Sequence, residues 1–365
     1  MKISIILPDL RGGGAERLHV NLAKEWIKHG YLVEFFLMKK QGELLSILPN
    51  KSKVLSPEVD RIRNFVLPIR KYLRINKPDI VLSAMWPMTS ITTLAWILSG
   101  KKGKLFLSDH VILGISAVNE LFLPYRLVGL SLKVTYPFAT GIIAVSRSVR
   151  SDLCDLGSLS PNRVKIIYNP AAIGIDPTRE SQDVQKKIWG KCDYHIISVG
   201  RLKFEKDYET LIRAFYIVSK EIDAKLIILG DGPMRGNLER LISKLDLKNK
   251  VILPGFVMDP YTWYRSADIF VLSSLWEGFG NVIVEALECG IPVVSTNCPG
   301  GPAEILDNGR YGSLVPVGDY QTLANTIVKD LRKDHNSNAL KERAKSFSLP
   351  IIANQYLDYF IESSN

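Results

Sequence analysis

The sequence predicts an α/β protein built of two doubly wound parallel-sheet domains. Three observations point there. Short apolar runs alternate with amphipathic helical stretches along the whole chain, the pattern of strands covered by helices on both faces. The alternation comes in two series, separated by a polar interval, Ala171–Asp193, that has no apolar period. The length, 365 residues, exceeds what one core organises and fits two domains of roughly 150 to 190 residues.

The first series comprises Ile3–Leu7, Val33–Leu37, Ile80–Ser83, Lys104–Leu107, Gly141–Val145 and Val164–Tyr168. These read as buried strands, being short and apolar throughout. The second series comprises His195–Val199, Lys225–Leu229, Val251–Leu253, Ile269–Leu272, Pro292–Ser295 and Gly312–Val315. Amphipathic helices lie between many of them, for example Ala15–His29 and Tyr208–Lys220. The first domain is placed at 1–175 and the second at 190–349. The tail, 350–365, carries a final amphipathic helix over Pro350–Phe360. No short-period repeat or low-complexity tract is visible.

Composition bounds the function classes. An apolar content of 46% with 23% charged residues is an ordinary globular balance. The cysteines, Cys154, Cys192, Cys289 and Cys298, are scattered without a CxxC pair, so neither a zinc site nor a disulfide framework is expected, and reduced thiols in a cytoplasmic setting fit best. The opening MKISIILPDL is too short for a signal peptide. Ile80–Ser99 carries no formal charge, but Pro87 and several Ser and Thr residues interrupt it, so it reads as a strand, a loop and a core helix rather than a membrane span. Charge is uneven. Residues 1–170 hold 24 Lys+Arg against 12 Asp+Glu, and the remainder 23 against 25, so the whole excess of +10 lies in the first half. That half calls for an anionic partner.

In doubly wound sheets, ligands sit beyond the carboxyl ends of the strands, so the loops there are the candidates. After the first strand comes LRGGGAER, whose Gly12, Gly13 and Gly14 precede a helix N-terminus able to meet an anion. Its spacing is neither GxGxxG nor a P-loop, and a plain mobile loop is an equal reading. After the first strand of the second series comes VGRLKFEKD. Arg201 and Lys206 there suit a diphosphate, or else form a solvated loop pairing with Glu205 and Asp207. LGDGP, with Gly230 and Gly232 around Asp231, is explained by a tight turn alone. In WEGFGNVIVEALECG, Glu277 lies in the loop and Glu285 two turns into a helix over Val282–Glu288 with Asn281 as its N-cap. The two acids bracket a helix N-terminus whose N–H groups and dipole favour an anion. Hydroxyls, then phosphates, then hydroxyls describe a nucleotide sugar. A solvated loop acid and a helix-surface acid describe the same residues equally well.

At this point the sequence resembles the retaining GT-B glycosyltransferases of family four. EGFGNVIVE, Glu277 to Glu285, resembles that family's E-x7-E motif, and GRLKFEK, Gly200 to Lys206, its G-R-L-x-x-x-K motif. LGDGP, PGGPAEIL at Pro299–Leu306 and GSLVPVGD at Gly312–Asp319 follow in the family's order, and GGGAER, the SDH at Ser108–His110, AVSRSVRSDL and the IIYNP at Ile166–Pro170 fit in the first half. The resemblance implies a GT-B fold: two Rossmann-like domains facing across a cleft, with the C-terminal helix returning to the first. It implies that Arg201 and Lys206 bind the donor diphosphate, that Glu277 holds the sugar hydroxyls, and that Glu285 holds the ribose. Gly200 and the stretch Gly278, Phe279, Gly280, Asn281 and Val282 would meet sugar and phosphate, with Gly13 and Gly14 on the donor from the first domain. His110 would face the sugar and Glu16 would lie on the acceptor side. A core histidine and a supporting role for Glu304 stay open.

The chemistry expected is transfer with retention of anomeric configuration. Cations and a helix N-terminus stabilise the leaving diphosphate. No Asp-x-Asp occurs in the chain, so no metal and no cofactor is expected. The donor class the resemblance implies is a UDP-linked hexose or N-acetylhexosamine. For the acceptor, two stretches interleave cations with apolar and aromatic residues: Arg61–Lys77 and Leu121–Phe138. With the charge excess they suggest an anionic membrane surface, a peripheral cytoplasmic location on the inner face of the cell membrane, and a polyprenyl-diphosphate-linked or glycan acceptor of bacterial surface-glycan assembly. Ordinary amphipathic helices are the alternative for each stretch alone. A GT-B-fold sugar-nucleotide epimerase and a non-catalytic sugar-nucleotide-binding protein are the rival functions. No nucleic-acid recognition motif is present.

Overall fold

The computed structural model describes residues 1–11, 13–119, 124–174 and 189–363. The chain forms two compact units: Met1–Pro170 together with Leu349–Asn365, and Ala171–Ser348.

The first unit is built on a parallel sheet of β1 (Lys2–Leu7), β2 (Leu32–Leu37), β3 (Lys53–Leu55), β4 (Ile80–Ala84), β5 (Lys104–Asp109), β6 (Gly141–Ala144) and β7 (Val164–Ile166), in the order β3-β2-β1-β4-β5-β6-β7. Its helices are α1 (Gly14–Lys28), α2 (Val66–Asn76), α3 (Met88–Leu98), α4 (Leu113–Asn119), α5 (Tyr125–Thr135) and α6 (Arg147–Gly157). The uncharged run at 80–99 is thus β4, a loop and α3. No helix among the described residues is long and apolar enough to cross a membrane. β3 escapes the sequence reading because it is a three-residue edge strand, KVL, with no fully buried position.

Neighbouring side chains of β2 show how the sheet is covered. Phe35 joins the core cluster formed with α1, while Phe36 points the other way and stacks on Phe65 and on Tyr72 of α2, with ring centroids 5.3 and 4.2 Å apart. The final helix of the chain packs beside α1. Trp26 donates its indole N–H to the carbonyl of Ala353 at 3.1 Å and meets Tyr356 and Phe360 edge-on. Phe360 also packs on Phe106 of β5. Each such aromatic, fully buried, contributes about 2–3 kcal/mol of apolar burial.

The second unit has β8 (Tyr194–Val199), β9 (Ala224–Leu229), β10 (Val251–Gly255), β11 (Ile269–Leu272), β12 (Val293–Thr296) and β13 (Ser313–Val315), all parallel, in the order β10-β9-β8-β11-β12-β13. Its helices are α7 (Tyr208–Glu221), α8 (Arg235–Lys244), α9 (Tyr261–Arg265), α10 (Asn281–Cys289), α11 (Pro302–Ile305), α12 (Tyr320–Leu331) and α13 (Ser337–Lys345). The returning helix, α14 (Leu349–Glu362), belongs to the first unit. Ala171–Gly174 goes with the second unit: the N–H of Ala172 bonds the carbonyl of Phe347 at 3.2 Å, and Ala172 bridges Ser348 in parallel. Most of the interval assigned as linker, 175–188, lies outside the described residues.

Both sheets are doubly wound. Strand order reverses between β1 and β4 in the first unit and between β8 and β11 in the second. Those are the crevices where loops diverge and a ligand finds room.

Candidate active site

In the second unit, the loops after β8, β9, β11 and β12 are knitted together by backbone hydrogen bonds. Leu202 N–H bonds Asp231 O at 3.0 Å and Met234 N–H bonds Leu202 O at 2.9 Å, so LGDGP is the support of GRLKFEK. Leu275 N–H bonds Glu205 O at 2.8 Å and Glu277 N–H bonds Pro299 O at 2.9 Å. Ser273 Oγ donates to Lys206 O at 2.8 Å and Thr296 Oγ1 to Ser274 O at 2.6 Å. Gly300 lies so close to the Glu277 carbonyl that a Cβ would collide with it, and its φ of +133° suits glycine alone. The PGG sequence is there to let two backbones touch.

This scaffold brings Lys206 and Glu277 together. Lys206 Nζ donates to Glu277 Oε1 at 2.6 Å, and Ser274 Oγ donates to the same oxygen at 2.7 Å. Both side chains are largely shielded, with 18% and 9% of their surface exposed. Burial alone would lower the Lys206 pKa, yet the attraction and hydrogen bond of Glu277, with Glu205 nearby, leave it raised: the ammonium is held charged. Of the alternative pairing, Glu205 lies 3.6 Å from Lys203, and Asp207 caps α7 by accepting from Thr210 N–H at 3.3 Å. Arg201 is exposed and its guanidinium has no ion-pair partner among the described residues. Gly200, just before it, directly follows β8 and bonds through its N–H to Leu229 O at 2.9 Å.

Beyond Glu277 the chain runs through Gly278 and Phe279, whose ring is buried against Phe347, into α10. One sequence expectation needs correction here. The N-cap is Gly280, in the left-handed region at φ +102°, and Asn281 is the first helical residue. The sharp entry needs a positive φ that Asn tolerates less well than Gly. α10 begins at Asn281 and Val282 with no side-chain cap on its first turn. Glu285 sits one turn further on, where Tyr264 of α9 donates its hydroxyl to Oε2 at 3.0 Å. Tyr264 is fully buried and its pKa lies far above the usual phenol range, from burial first and then Glu285, so it stays a donor. Sequence reasoning missed Tyr264, because its pairing with Glu285 is made across two elements. Glu304 lies in α11; Arg343 donates to its carbonyl at 2.6 Å, so that contact runs through the backbone.

In the first unit, Gly13 is the N-cap of α1, Gly14 its first residue, and Gly12 lies outside the described residues. The carboxylate of Glu16 folds back over Gly13, at the positive end of the helix. His110 follows β5 with Nε2 3.1 Å from Ser108 Oγ, and its Nδ1 is buried without a hydrogen-bond partner. Its ring meets His19 edge-on at 5.5 Å. His19, missed in the sequence, is fully buried on α1; it donates Nδ1–H to Ala15 O at 2.7 Å and keeps an unpartnered Nε2. Burial holds both rings neutral, with pKa values of about 3 for His110, where His19 adds to the lowering, and about 4 for His19. Beside them Asp109 is fully buried. It accepts from Tyr136 hydroxyl at 2.7 Å and Trp86 N–H at 3.3 Å, and burial outweighs both to push its pKa up to about 6.

Comparison with known proteins decides the family. The family described as Glycosyltransferase Family 4 matches residues 12–177, and Glycosyl transferases group 1 matches 180–347. An uncharacterized glycosyltransferase of Methanocaldococcus jannaschii is 30% identical over 331 residues, covering 79% of this chain and 80% of that protein. The chain belongs to the family-four glycosyltransferases. A second relative of this glycosyltransferase, from Campylobacter jejuni, is named N-acetylgalactosamine-N,N'-diacetylbacillosaminyl-diphospho-undecaprenol 4-alpha-N-acetylgalactosaminyltransferase. It is 33% identical over 234 residues, 63% of this chain and 62% of its own length. Among solved structures, HepE from Anabaena in complex with UDP superposes with a TM-score of 0.81 over 100% of both chains at 23% identity, which places the fold in the GT-B class.

Proposed function

We propose that this glycosyltransferase moves a hexose or N-acetylhexosamine from a UDP-sugar to a lipid-linked acceptor, with retention and without a metal. The buried, charged Lys206–Glu277 pair beside the uncapped start of α10 carries the reading. The relatives' names support it: one acts on a diphospho-undecaprenol acceptor, and one structural neighbour binds UDP. Bacterial polysaccharide or glycolipid assembly is the setting those names suggest.

In this reading Arg201, Lys206 and the first-turn N–H groups of α10 hold the donor diphosphate, and Glu277 and Glu285 take sugar and ribose hydroxyls. Gly200 and Gly278–Gly280 let the backbone approach them. The bond from the anomeric carbon to the phosphate oxygen breaks, leaving an oxocarbenium-like sugar and a diphosphate that gains a negative charge. The acceptor hydroxyl attacks the same face and forms the new glycosidic bond. Its proton passes to the departing phosphate oxygen, so no protein base is required. The cations meet the charge as it develops, where electrostatic stabilisation is most effective. A neutral His110 hydrogen-bonds the sugar without opposing its positive charge, Gly13 and Gly14 close on the donor, and Glu16 serves the acceptor side. The enzyme works peripherally on the cytoplasmic face of an anionic membrane.

The test is turnover of a nucleotide-sugar panel, with EDTA present and a polyprenyl-diphosphate sugar as acceptor, following nucleotide release and label in the lipid phase. Label entering lipid from a UDP-sugar is the expected result. Conversion of the donor without an acceptor would support an epimerase instead, and donor binding without turnover a sensor. Loss of activity in EDTA, restored by a divalent cation, would overturn metal independence.

A further inference from the structure

The described parts of the two stretches that interleave cations with apolar residues, α2 and α5, are linked on the structure by a third element; residues 121–123 lie outside the described residues. α3 packs against α2 on one side and α5 on the other, forming a row on the first unit. Each helix buries one side: Ile69, Tyr72 and Leu73 on α2, Ala95 and Trp96 on α3, Val128 and Leu132 on α5. The opposite sides should be polar on a surface helix. They are not. Leu67 of α2 is 64% exposed, Leu94 and Leu98 of α3 are 40% and 51%, and Leu127, Leu130 and Val134 of α5 are 58%, 59% and 54%. The spacings 94/98 and 127/130/134 place these side chains in stripes along their helices. Single exposed leucines are common; aligned stripes on adjacent helices mark a contact surface.

The charge on this surface has one sign. Between Arg61 and Ser151 the chain has 13 Lys+Arg and only Asp79, Asp109 and Glu120 as acids, and none of these lies on α2, α3 or α5. Asp109 is buried, Asp79 accepts from the N–H of Lys2, and Glu120 lies outside the described residues. Lys71 and Arg74 on α2 and Arg126 and Lys133 on α5 are exposed beside the leucines. Arg70 ties the row together by donating to Leu98 O at 3.1 Å, and Lys101 lies over the exposed Phe138 ring at 5.1 Å.

We infer that the outward face of α2, α3 and α5 is the surface by which the protein seats on an anionic lipid bilayer, the uncharged α3 entering the interface between two cationic flanks. This rests on the peripheral-membrane part of the function proposed above and names the face that performs it. Apolar side chains sink into the headgroup boundary while Lys and Arg stay at the phosphates. A second copy is a poor occupant, because a two-fold contact would set this cationic face against itself.

Vesicle co-sedimentation tests it, using phosphatidylglycerol–phosphatidylcholine vesicles against phosphatidylcholine alone. The unaltered chain should bind only the anionic vesicles, more weakly as salt rises. Leu94→Ser, Leu127→Ser and Leu130→Ser combined should lower partitioning at least tenfold with the salt dependence intact. Lys71→Glu, Arg74→Glu and Lys133→Glu combined should lower it as much and flatten the salt dependence. Leu32→Ser, an exposed position outside the face, should change nothing, and unchanged melting temperatures would confirm that all variants fold. If the face variants bind like the unaltered chain, the face is misassigned while peripheral binding stands. If the unaltered chain ignores anionic vesicles at low salt, both fall, whereas nucleotide release with a water-soluble acceptor would still report transfer. Dimerisation abolished by the same leucine changes would assign the face to a second copy and overturn the proposal.

Discussion

One cluster in each unit solves the opposite electrostatic problem to the other. At β8/β11 a lysine and a glutamate are buried in contact and charged, beside an exposed arginine and an uncapped helix start. In the first unit, His110 at the end of β5 and the buried His19 of α1 are kept neutral, and the buried carboxyl of Asp109 is pushed toward its neutral form. The same wound sheet therefore makes one site that holds a charged pair beside an exposed cation and another where burial disfavours charge of either sign. The contrast teaches that topology supplies the position of a crevice, while burial and pairing decide which charge state survives in it.

The largest expected effect breaks the charged side. Lys206→Ala should lower kcat/KM by about 100-fold or more and cost about 3 kcal/mol of stability, because Glu277 is left buried without its cation. Lys206→Met combined with Glu277→Leu should regain much of that stability in urea unfolding and none of the activity. Full activity in Lys206→Ala would mean the charged pair is only structural.

The neutral side is probed by pH. The Asp109 pKa is raised in the folded state, so its protonated form favours folding: its contribution is fully present below about pH 4 and lost as pH rises through about 6. A shift of that size is worth about 3 kcal/mol, and Asp109→Asn should remove this slope from chemical-denaturation curves taken between pH 4 and 7. An unchanged slope would assign it to other groups.

A smaller effect sharpens the charged side. Tyr264→Phe deletes one hydrogen bond to Glu285, worth about 1–1.5 kcal/mol, and should raise the donor KM roughly five- to tenfold with kcat nearly unchanged. The smallest expectation is a null slope. With His110 and His19 neutral down to about pH 3 and 4, no acid limb in the pH–rate profile between pH 5 and 8 should trace to either ring. A limb near pH 6.5 that vanishes in His110→Gln would contradict it.

How much was legible follows from where each constraint acts. Buried parallel strands must be apolar on both faces, so twelve of the thirteen strands among the described residues stand out as short runs, and among them only β3, at an edge and poorly buried, hides. The E-x7-E and GRL-x3-K residues were readable as types, and residue chemistry alone left them undecided. What brings Lys206 to Glu277 is contact between loops 71 positions apart, and no local pattern encodes that. LGDGP read as a mere turn for the same reason. Gly280 was displaced as N-cap by Asn281 because composition rules name good caps, while backbone entry angle selects glycine. His19 was invisible because a histidine on an apolar helix face looks like filler until its neighbour is known.

The return of α14 has a consequence for biosynthesis. The chain crosses into the second unit after Pro170 and comes back at Leu349. On the ribosome, Trp26 and Phe106 are therefore synthesised early but remain bare until the whole second unit has emerged and Tyr356 and Phe360 arrive to cover them. The unit begun first is completed last. During that wait the nascent protein exposes an aromatic surface of the kind that makes partly folded chains prone to aggregate, and a stop codon just before Leu349 would leave the second unit whole and the first permanently unfinished.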